Sequence, residues 1–412
     1  MKKNIVKNTI MLYGLSIAKI VFPLITLPYL TRVLTVDSYG IVAYVKSVMQ
    51  YMQIFVDFGF LLSGTKSIVE VRDKKDELGN VTGNILLARI ILSIVAFCCL
   101  IIMIFSIPLL RDNWLFAVLS YIPVLLSIFL FDYLFRGIEQ MEIITMRFVA
   151  MKGLAAVLTF LCVKSDVDIM WIPLLDIAGS LVAIILVLKT IKDFGIKIKI
   201  GSLKQAIKRV GESAVYFASN MATTAFGALN TVLIGAFLPK TQVAHWSVCL
   251  QIISAIQTMY NPIIDGIYPD MIKNKNFCLI KKILKVFMPI IFVGSGISFI
   301  FAPLALRIVG GIQYVVATDL FRCLIPVLIF SFPAMVLGWP TLGAIGQQNK
   351  VTKSTIFTAI FQVIGLAVLI LINRFNVLCL ALLRSTTEGI LLLLRVYACK
   401  KISWRREEMS NE

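Results

Sequence analysis

Ile90-Ile91-Leu92-Ser93-Ile94-Val95-Ala96-Phe97-Cys98-Cys99-Leu100-Ile101-Ile102-Met103-Ile104-Phe105-Ser106-Ile107 decides the fold. The run carries no charge and is apolar on every helical face. Hydrocarbon offers no partner to a backbone N–H or C=O, so such a run must cross as a helix or as part of a closed barrel. Barrel strands alternate apolar and polar residues, and this run does not. A crossing helix needs about 20 apolar residues. Comparable runs recur from Thr9 to Lys400, at 9–31, 41–65, 83–107, 114–135, 143–163, 170–188, 212–237, 243–269, 284–304, 317–340, 354–373 and 376–398. The chain therefore reads as an all-α polytopic membrane protein.

Of its 412 residues 59% are hydrophobic and 15% charged, and no gap between spans is long enough for a soluble catalytic domain. The first apolar run is a full span, so no cleavable signal peptide is expected. The net charge of +18 does not point to nucleic acid, because basic residues crowd alternate gaps, as the positive-inside rule requires. The other set of gaps holds only Arg32, Arg111, Lys164, Lys240, Arg307 and Arg374. That asymmetry predicts an even number of spans, about 12 transmembrane helices, with both termini cytoplasmic. The eight cysteines fall mostly in apolar runs without a CxxC pair, and His245 stands alone. No metal site and no cofactor are expected.

The longest polar gap, from Lys189 to Gly211, divides the chain into two sets of six spans, expected as bundles over 1–200 and 201–412. Many transporters are built from two related halves. Laid over each other, the halves align Leu34 with Leu238, Gln53 with Gln257 and Asp57 with Asn261. Prolines at Pro23 and Pro28 in the first span, and at Pro326, Pro333 and Pro340 in the tenth, are expected to bend their helices.

Function is sought in the polar residues inside the spans. Lys46, Gln50, Gln53 and Asp57 fall on one face of the second span. A charge at a helix centre costs about 2.5–3.5 kcal/mol even on the lenient insertion scale, so that stripe is expected to face a wet cavity; a buried polar network between helices is the plainer reading. Gln251, Ser254, Thr258, Asn261 and Asp265 form a counterpart without a lysine on the eighth span, and Ser213, Tyr216, Asn220 and Thr224 line one side of the seventh. Lys19 is too deep in the first span to snorkel, whereas Arg89 is expected to reach the surface. Asp132 and Arg136, like Arg384 and Glu388, are spaced for an i,i+4 pair. Asp57 is the ion-coupling candidate, since a carboxyl removed from water resists ionisation unless a cation compensates it. No GxxxxGK loop, HExxH or Ser/His/Asp set is present, so an ion or substrate gradient must drive any work and no enzyme is expected.

Phe22-Pro23-Leu24-Ile25-Thr26-Leu27-Pro28-Tyr29-Leu30-Thr31-Arg32-Val33-Leu34, then Tyr39-Gly40, then Asp57-Phe58-Gly59-Phe60 resemble the bacterial polysaccharide flippases. These are the O-antigen and teichoic-acid-type repeat-unit translocases of the multidrug/oligosaccharidyl-lipid/polysaccharide exporter superfamily. The resemblance is densest in residues 1–70 and covers the rest in length and layout. It implies two pseudo-symmetric six-helix bundles around a V-shaped central cavity. It also implies an undecaprenyl-diphosphate-linked oligosaccharide repeat unit as substrate, flipped across the bacterial cytoplasmic membrane by alternating access. Polymerase and glycosyltransferase partners follow from the same resemblance. The family's cavity-lining basic residues are matched in type by Lys19, Lys46, Arg89 and Arg384, although the lysine-free stripe of the second half departs from a symmetric cation ring.

The expected site follows. Lys19, Lys46 and Arg89 hold the diphosphate. Gln50, Gln53, Asn220, Gln257 and Asn261 meet sugar hydroxyls, and Asp57 couples to H+ or Na+ or serves as a pairing carboxylate. The glycan's lipid tail stays among membrane lipids. A cation-coupled multidrug antiporter of the same superfamily is the first alternative, and it would need an acidic cavity. A membrane glycan polymerase or ligase would need a large outer loop, which the short gaps exclude. A lipid II-type flippase would generally carry extra carboxy-terminal spans.

Overall fold

A computed structural model describes residues 2–224, 228–275 and 277–411, with side chains described over 11–401 except 12, 219–220, 222–227, 265, 268–270, 272–274 and 276. The described residues fold as helices. Among them nine segments are long and apolar enough to cross a membrane, and the chain is an all-α polytopic membrane protein. By contacts it divides into two units, Met1–Met221 and Ala222–Glu412. The boundary expected at 200/201 thus falls later, so the helix that begins inside the long polar gap belongs with the first unit.

The first unit contains α1 (Lys2–Val33), α2 (Val36–Asp57), α3 (Phe60–Val71), α4 (Lys75–Ser106), α5 (Pro108–Asp112), α6 (Trp114–Leu126), α7 (Asp132–Gly137), α8 (Met141–Cys162), α9 (Trp171–Asp193) and α10 (Leu203–Thr224). α8 packs on α1 and α9, α9 on α6, and α6 on α2, while α2 also packs on α4. Thr35 caps α2, its side chain accepting from the Ser38 N–H, which satisfies one of the orphan donors at a helix start. The second span was expected to run unbroken over 41–65. Instead α2 stops at Asp57, because Phe58 (φ 38°) and Gly59 (φ 77°) both adopt left-handed backbone. Gly59 accepts that conformation without penalty. Phe58 is held in it by stacking on Phe217 of α10, with ring centroids 4.2 Å apart.

Part of the connector between α9 and α10 lies against α4. A Cβ on Gly79 would stand 1.9 Å from the Lys197 carbonyl oxygen, and one on Gly83 1.9 Å from that of Lys199. The Lys199 N–H donates to the Gly79 carbonyl at 3.3 Å, and Lys199 Nζ reaches Asp76 at 3.1 Å. Two glycines one turn apart thus make a groove for an extended segment. Gly83→Leu is expected to expel the connector at a cost of about 1–3 kcal/mol, typical of overpacking. The readouts are a lower Tm of the purified protein and faster proteolysis between Ile196 and Leu203; no change in either would refute the strap.

The second unit contains α11 (Ala228–Phe237), α12 (Lys240–Thr258), α13 (Asn261–Asn274), α14 (Phe277–Ile300), α15 (Ala302–Val309), α16 (Thr318–Val336), α17 (Gln348–Leu371) and α18 (Val377–Asn411). α16 lies at its centre, against α12, α14 and α18. Pro326 and Pro333 are accommodated within α16. The break comes after it, at Gly338 (φ −72°, ψ −118°), inside a widened π-type turn over Leu337–Gly343. Pro340 has no N–H to offer the Val336 carbonyl; the Thr341 hydroxyl donates to that carbonyl instead, at 2.8 Å. Arg395 of α18 donates to the Ala334 carbonyl at 2.6 Å and to Thr355 Oγ1 at 3.1 Å. A buried chain joins α11, α17 and α18: Thr387 Oγ1 donates to Gln362 Oε1 at 2.5 Å, and Gln362 Nε2 donates to Asn230 Oδ1 at 3.1 Å.

Candidate functional site

α2 is not among the nine strongly apolar segments, because it carries Lys46, Asp57 and two glutamines. Its open side is polar. From Val36 to Asp57 the exposed side chains are Lys46 and Gln50, with Gln53 and Asp57 partly exposed below them. Val48 and Met52, on the other side, are buried. The two exposed residues of α2 are both polar, so this open stripe needs water or polar partners.

Three neighbouring helices carry charge as well. On α1 the exposed apolar row is Ile17, Val21, Leu24 and Ile25, and Lys19 projects from the opposite side, exposed, at the helical spacing of about 3.6 residues per turn. Its Nζ lies 5.8 Å from the centre of the Phe148 ring on α8, within cation–π reach. On α8 the exposed apolar residues are Met146, Val149, Val157 and Leu161, and Lys152, partly exposed, lies one turn beyond Phe148. On α9 the row is Leu174, Leu181 and Ile185, and Asp176 lies opposite. Lys152 Nζ meets Asp176 Oδ1 at 2.8 Å, and Lys46 is within electrostatic reach of both. Three helices of the first unit thus bring Lys46, Lys152 and Asp176 within electrostatic reach of one another, and Lys19 of α1 lies beside Phe148 of α8.

A second group lies nearer the α2 break. Arg89 Nη2 donates to Asp57 Oδ1 at 2.6 Å and reaches Ser127 Oγ at 3.4 Å, and Nη1 reaches the Ile128 carbonyl at 3.4 Å. Gln53 Nε2 donates to the same Ser127 Oγ at 3.0 Å. The Arg89 side chain is 6% exposed and that of Asp57 44%. Arg89 was expected to hold the diphosphate, with room to snorkel to the surface. It does not, because Asp57 and a 3₁₀ turn over Ser127–Leu130 give its guanidinium partners where it lies. Asp132 was expected to pair with Arg136. Its partner is Arg147 of α8, equally buried, because the start of α7 packs on α8 rather than leaving Asp132 to its own helix. Arg89 and Arg147 thus each carry a half-open carboxylate, Asp57 and Asp132.

The remaining sequence-derived residues belong elsewhere. Asn220 lies outside the residues whose side chains are described. Gln257 and Asn261 are in the second unit, but the single stripe expected across 243–269 is interrupted. α12 ends at Thr258 and α13 restarts at Asn261, where Pro262 is suited to the first helical turn. Arg384 and Glu388 form the i,i+4 pair, Nη2 to Oε1 at 2.8 Å, both buried. Lys152, Asp176 and Arg147 were not among the expected site residues. Their signal was present in the sequence as charges inside the fifth and sixth spans.

A many-spanning helical protein with charges gathered inside its spans is a membrane transporter by class. The chain belongs to the polysaccharide biosynthesis protein family, whose signature matches residues 5–275. It is 27% identical over 291 residues to a provisionally named O-antigen transporter of Escherichia coli (strain K12), covering 69% of this chain and 70% of that one. A provisionally named O-antigen transporter of Shigella dysenteriae is 24% identical over 274 residues, covering 66% and 68%. In fold the chain is similar to the lipid II flippase MurJ in an inward closed conformation, with TM-score 0.71 at 14% identity, covering 96% of this chain and 87% of that one. It is also similar to an inward-facing multidrug resistance MATE family transporter of the MOP superfamily, with TM-score 0.67 at 13% identity, covering 95% and 99%.

Proposed function

We propose that the protein is a flippase that carries an undecaprenyl-diphosphate-linked oligosaccharide repeat unit across the bacterial cytoplasmic membrane by alternating access. The observation that carries this reading is the open stripe of α2, Lys46 and Gln50, with Lys46 within electrostatic reach of Lys152 and Asp176 in the first unit. Lys46 and Lys19 meet the diphosphate. Gln50, Gln53 and Asn220 meet sugar hydroxyls from the first unit and Gln257 and Asn261 from the second, whereas Arg384, sealed against Glu388, serves the fold of its own unit. Arg89, sealed against Asp57, contributes by holding that carboxylate in place, and Asp57 is the coupling group for H+ or Na+. The family membership and the names of its O-antigen relatives support a glycan cargo over a drug. The polar spans that fall short of strong hydropathy, α2 and α12 among them, complete a twelve-span layout with both termini cytoplasmic and two related bundles.

A deletion strain tests the reading. It is expected to accumulate a polyprenyl-linked glycan on the inner leaflet and to lose the corresponding surface polymer, with restoration by the plasmid-borne gene. A deletion that leaves the polymer and the lipid-linked pool unchanged refutes it. A change in drug accumulation instead would favour the antiporter.

A further inference from the structure

Two kinds of ion pair occur inside the first unit, and they are built oppositely. In the arginine pairs the cation is the covered partner: Arg89 is 6% exposed against 44% for Asp57, and Arg147 is 4% exposed against 38% for Asp132. In the lysine pair the order is reversed, with Lys152 40% exposed and Asp176 25%. Asp176 has a second cation, Lys46, within electrostatic reach, and Lys46 is itself exposed. Two ammonium groups and one carboxylate leave this cluster one net positive charge. Arginine forks fix a carboxylate in one geometry, whereas a lysine is a point charge on a flexible stem that changes partners easily. The arginine pairs are therefore fixed parts of the fold, and the lysine pair is exchangeable.

We propose that Asp176 is a resident stand-in for the substrate's phosphate: it holds Lys46 and Lys152 together while the site is empty and yields them when the diphosphate enters. This rests on the export reading and adds Lys152 as a substrate-binding residue and Asp176 as a positioning residue. The consequence is competition. An anion that enters must displace the carboxylate, and the carboxylate returns as the anion leaves. Binding is thereby weakened in a way that speeds release, which a carrier needs at the end of each cycle. A ligand can shift a two-state equilibrium only by its differential affinity for the states, and the returning carboxylate supplies that difference at the site itself.

The test uses the purified full-length protein in detergent with inorganic pyrophosphate as the probe, titrated by calorimetry at low salt. Asp176→Asn is expected to bind pyrophosphate roughly tenfold more tightly than wild type, and Lys152→Gln roughly tenfold more weakly, each about the worth of one charge-assisted hydrogen bond. A purely structural role for Asp176 predicts equal or weaker binding in Asp176→Asn, and that result overturns the proposal. Should Asp176→Asn fail to fold, Lys152→Gln decides alone, and an affinity equal to wild type refutes the idea. Pyrophosphate that does not bind wild type also overturns it. The export reading fails separately, in the deletion strain: a strain that accumulates lipid-linked glycan together with an unaltered Asp176→Asn affinity removes the stand-in and leaves the flippase.

Discussion

Exchange of Lys46 for glutamine is expected to abolish surface glycan while leaving the protein in the membrane at its normal level. The side chain is one of two exposed on α2, and the other, Gln50, is also polar. Glutamine keeps much of the length and the hydrogen-bonding capacity, so the packing of Val48 and Met52 on the far side is untouched. What is lost is the charge. A hydrogen bond to a charged group contributes about 1.5–3 kcal/mol, which is roughly a 10- to 150-fold fall in affinity for a diphosphate at about 1.4 kcal/mol per tenfold. Lys46→Arg is expected to retain partial export, because the charge survives although the geometry changes. Lys19→Gln is expected to act in the same direction but less strongly, since the Lys19 ammonium already lies near the Phe148 ring. Polymer blots read against membrane abundance check all three variants, and normal polymer in both glutamine variants refutes the cationic site.

Different parts of this molecule were legible in the sequence to different degrees, for physical reasons. The run Ile90–Ile107 announced a membrane helix because apolarity on every face is a local property. The stripe Lys46, Gln50, Gln53 and Asp57 was readable because helical spacing alone decides which residues share a side, and its two upper members are the exposed ones. Partner choice was not readable. Local rules favoured Asp132 with Arg136, four residues on; packing of α7 on α8 delivered Arg147 instead. Arg89 and Asp57 meet only because α4 packs on α2, which no spacing encodes. Asp57-Phe58-Gly59-Phe60 stood out in the sequence and proves to be a helix break. Gly59 hinted at it, but the left-handed backbone of Phe58 depends on a ring supplied by α10. Gly79 and Gly83 were the trace of the docked connector, and small residues one turn apart reveal that something approaches without saying what.

Removal of Arg89 alone is expected to destabilise the first unit. Arg89→Met leaves Asp57 without its cation; breaking one side of a fully buried pair costs about 3–5 kcal/mol, and the half-open Asp57 places the cost toward or below the lower end of that range. It is expected to appear as reduced membrane abundance and a lower Tm. The double variant Arg89→Met/Asp57→Asn removes both charges, and its stability is expected to return most of the way to wild type, because a pair replaced as a unit leaves no uncompensated charge. Thermal unfolding in detergent checks the cycle, and an Arg89→Met protein as stable as wild type would show that the pair carries no such strain. The same double variant separates the two roles of Asp57. If the carboxylate serves only to neutralise Arg89, the stable double variant exports glycan normally. Its half-open side chain argues for more than that: a group needed only for neutralisation gains nothing from solvent access, whereas a coupling group must be reached by its ion. The double variant is therefore expected to be folded and abundant yet reduced more than tenfold in export, the fall that a loss of about 1.4 kcal/mol or more would give. Normal export from it would assign Asp57 to the fold alone and move the coupling ion to another carboxylate, of which Asp132, equally half-open beside a buried arginine, is the next to be changed.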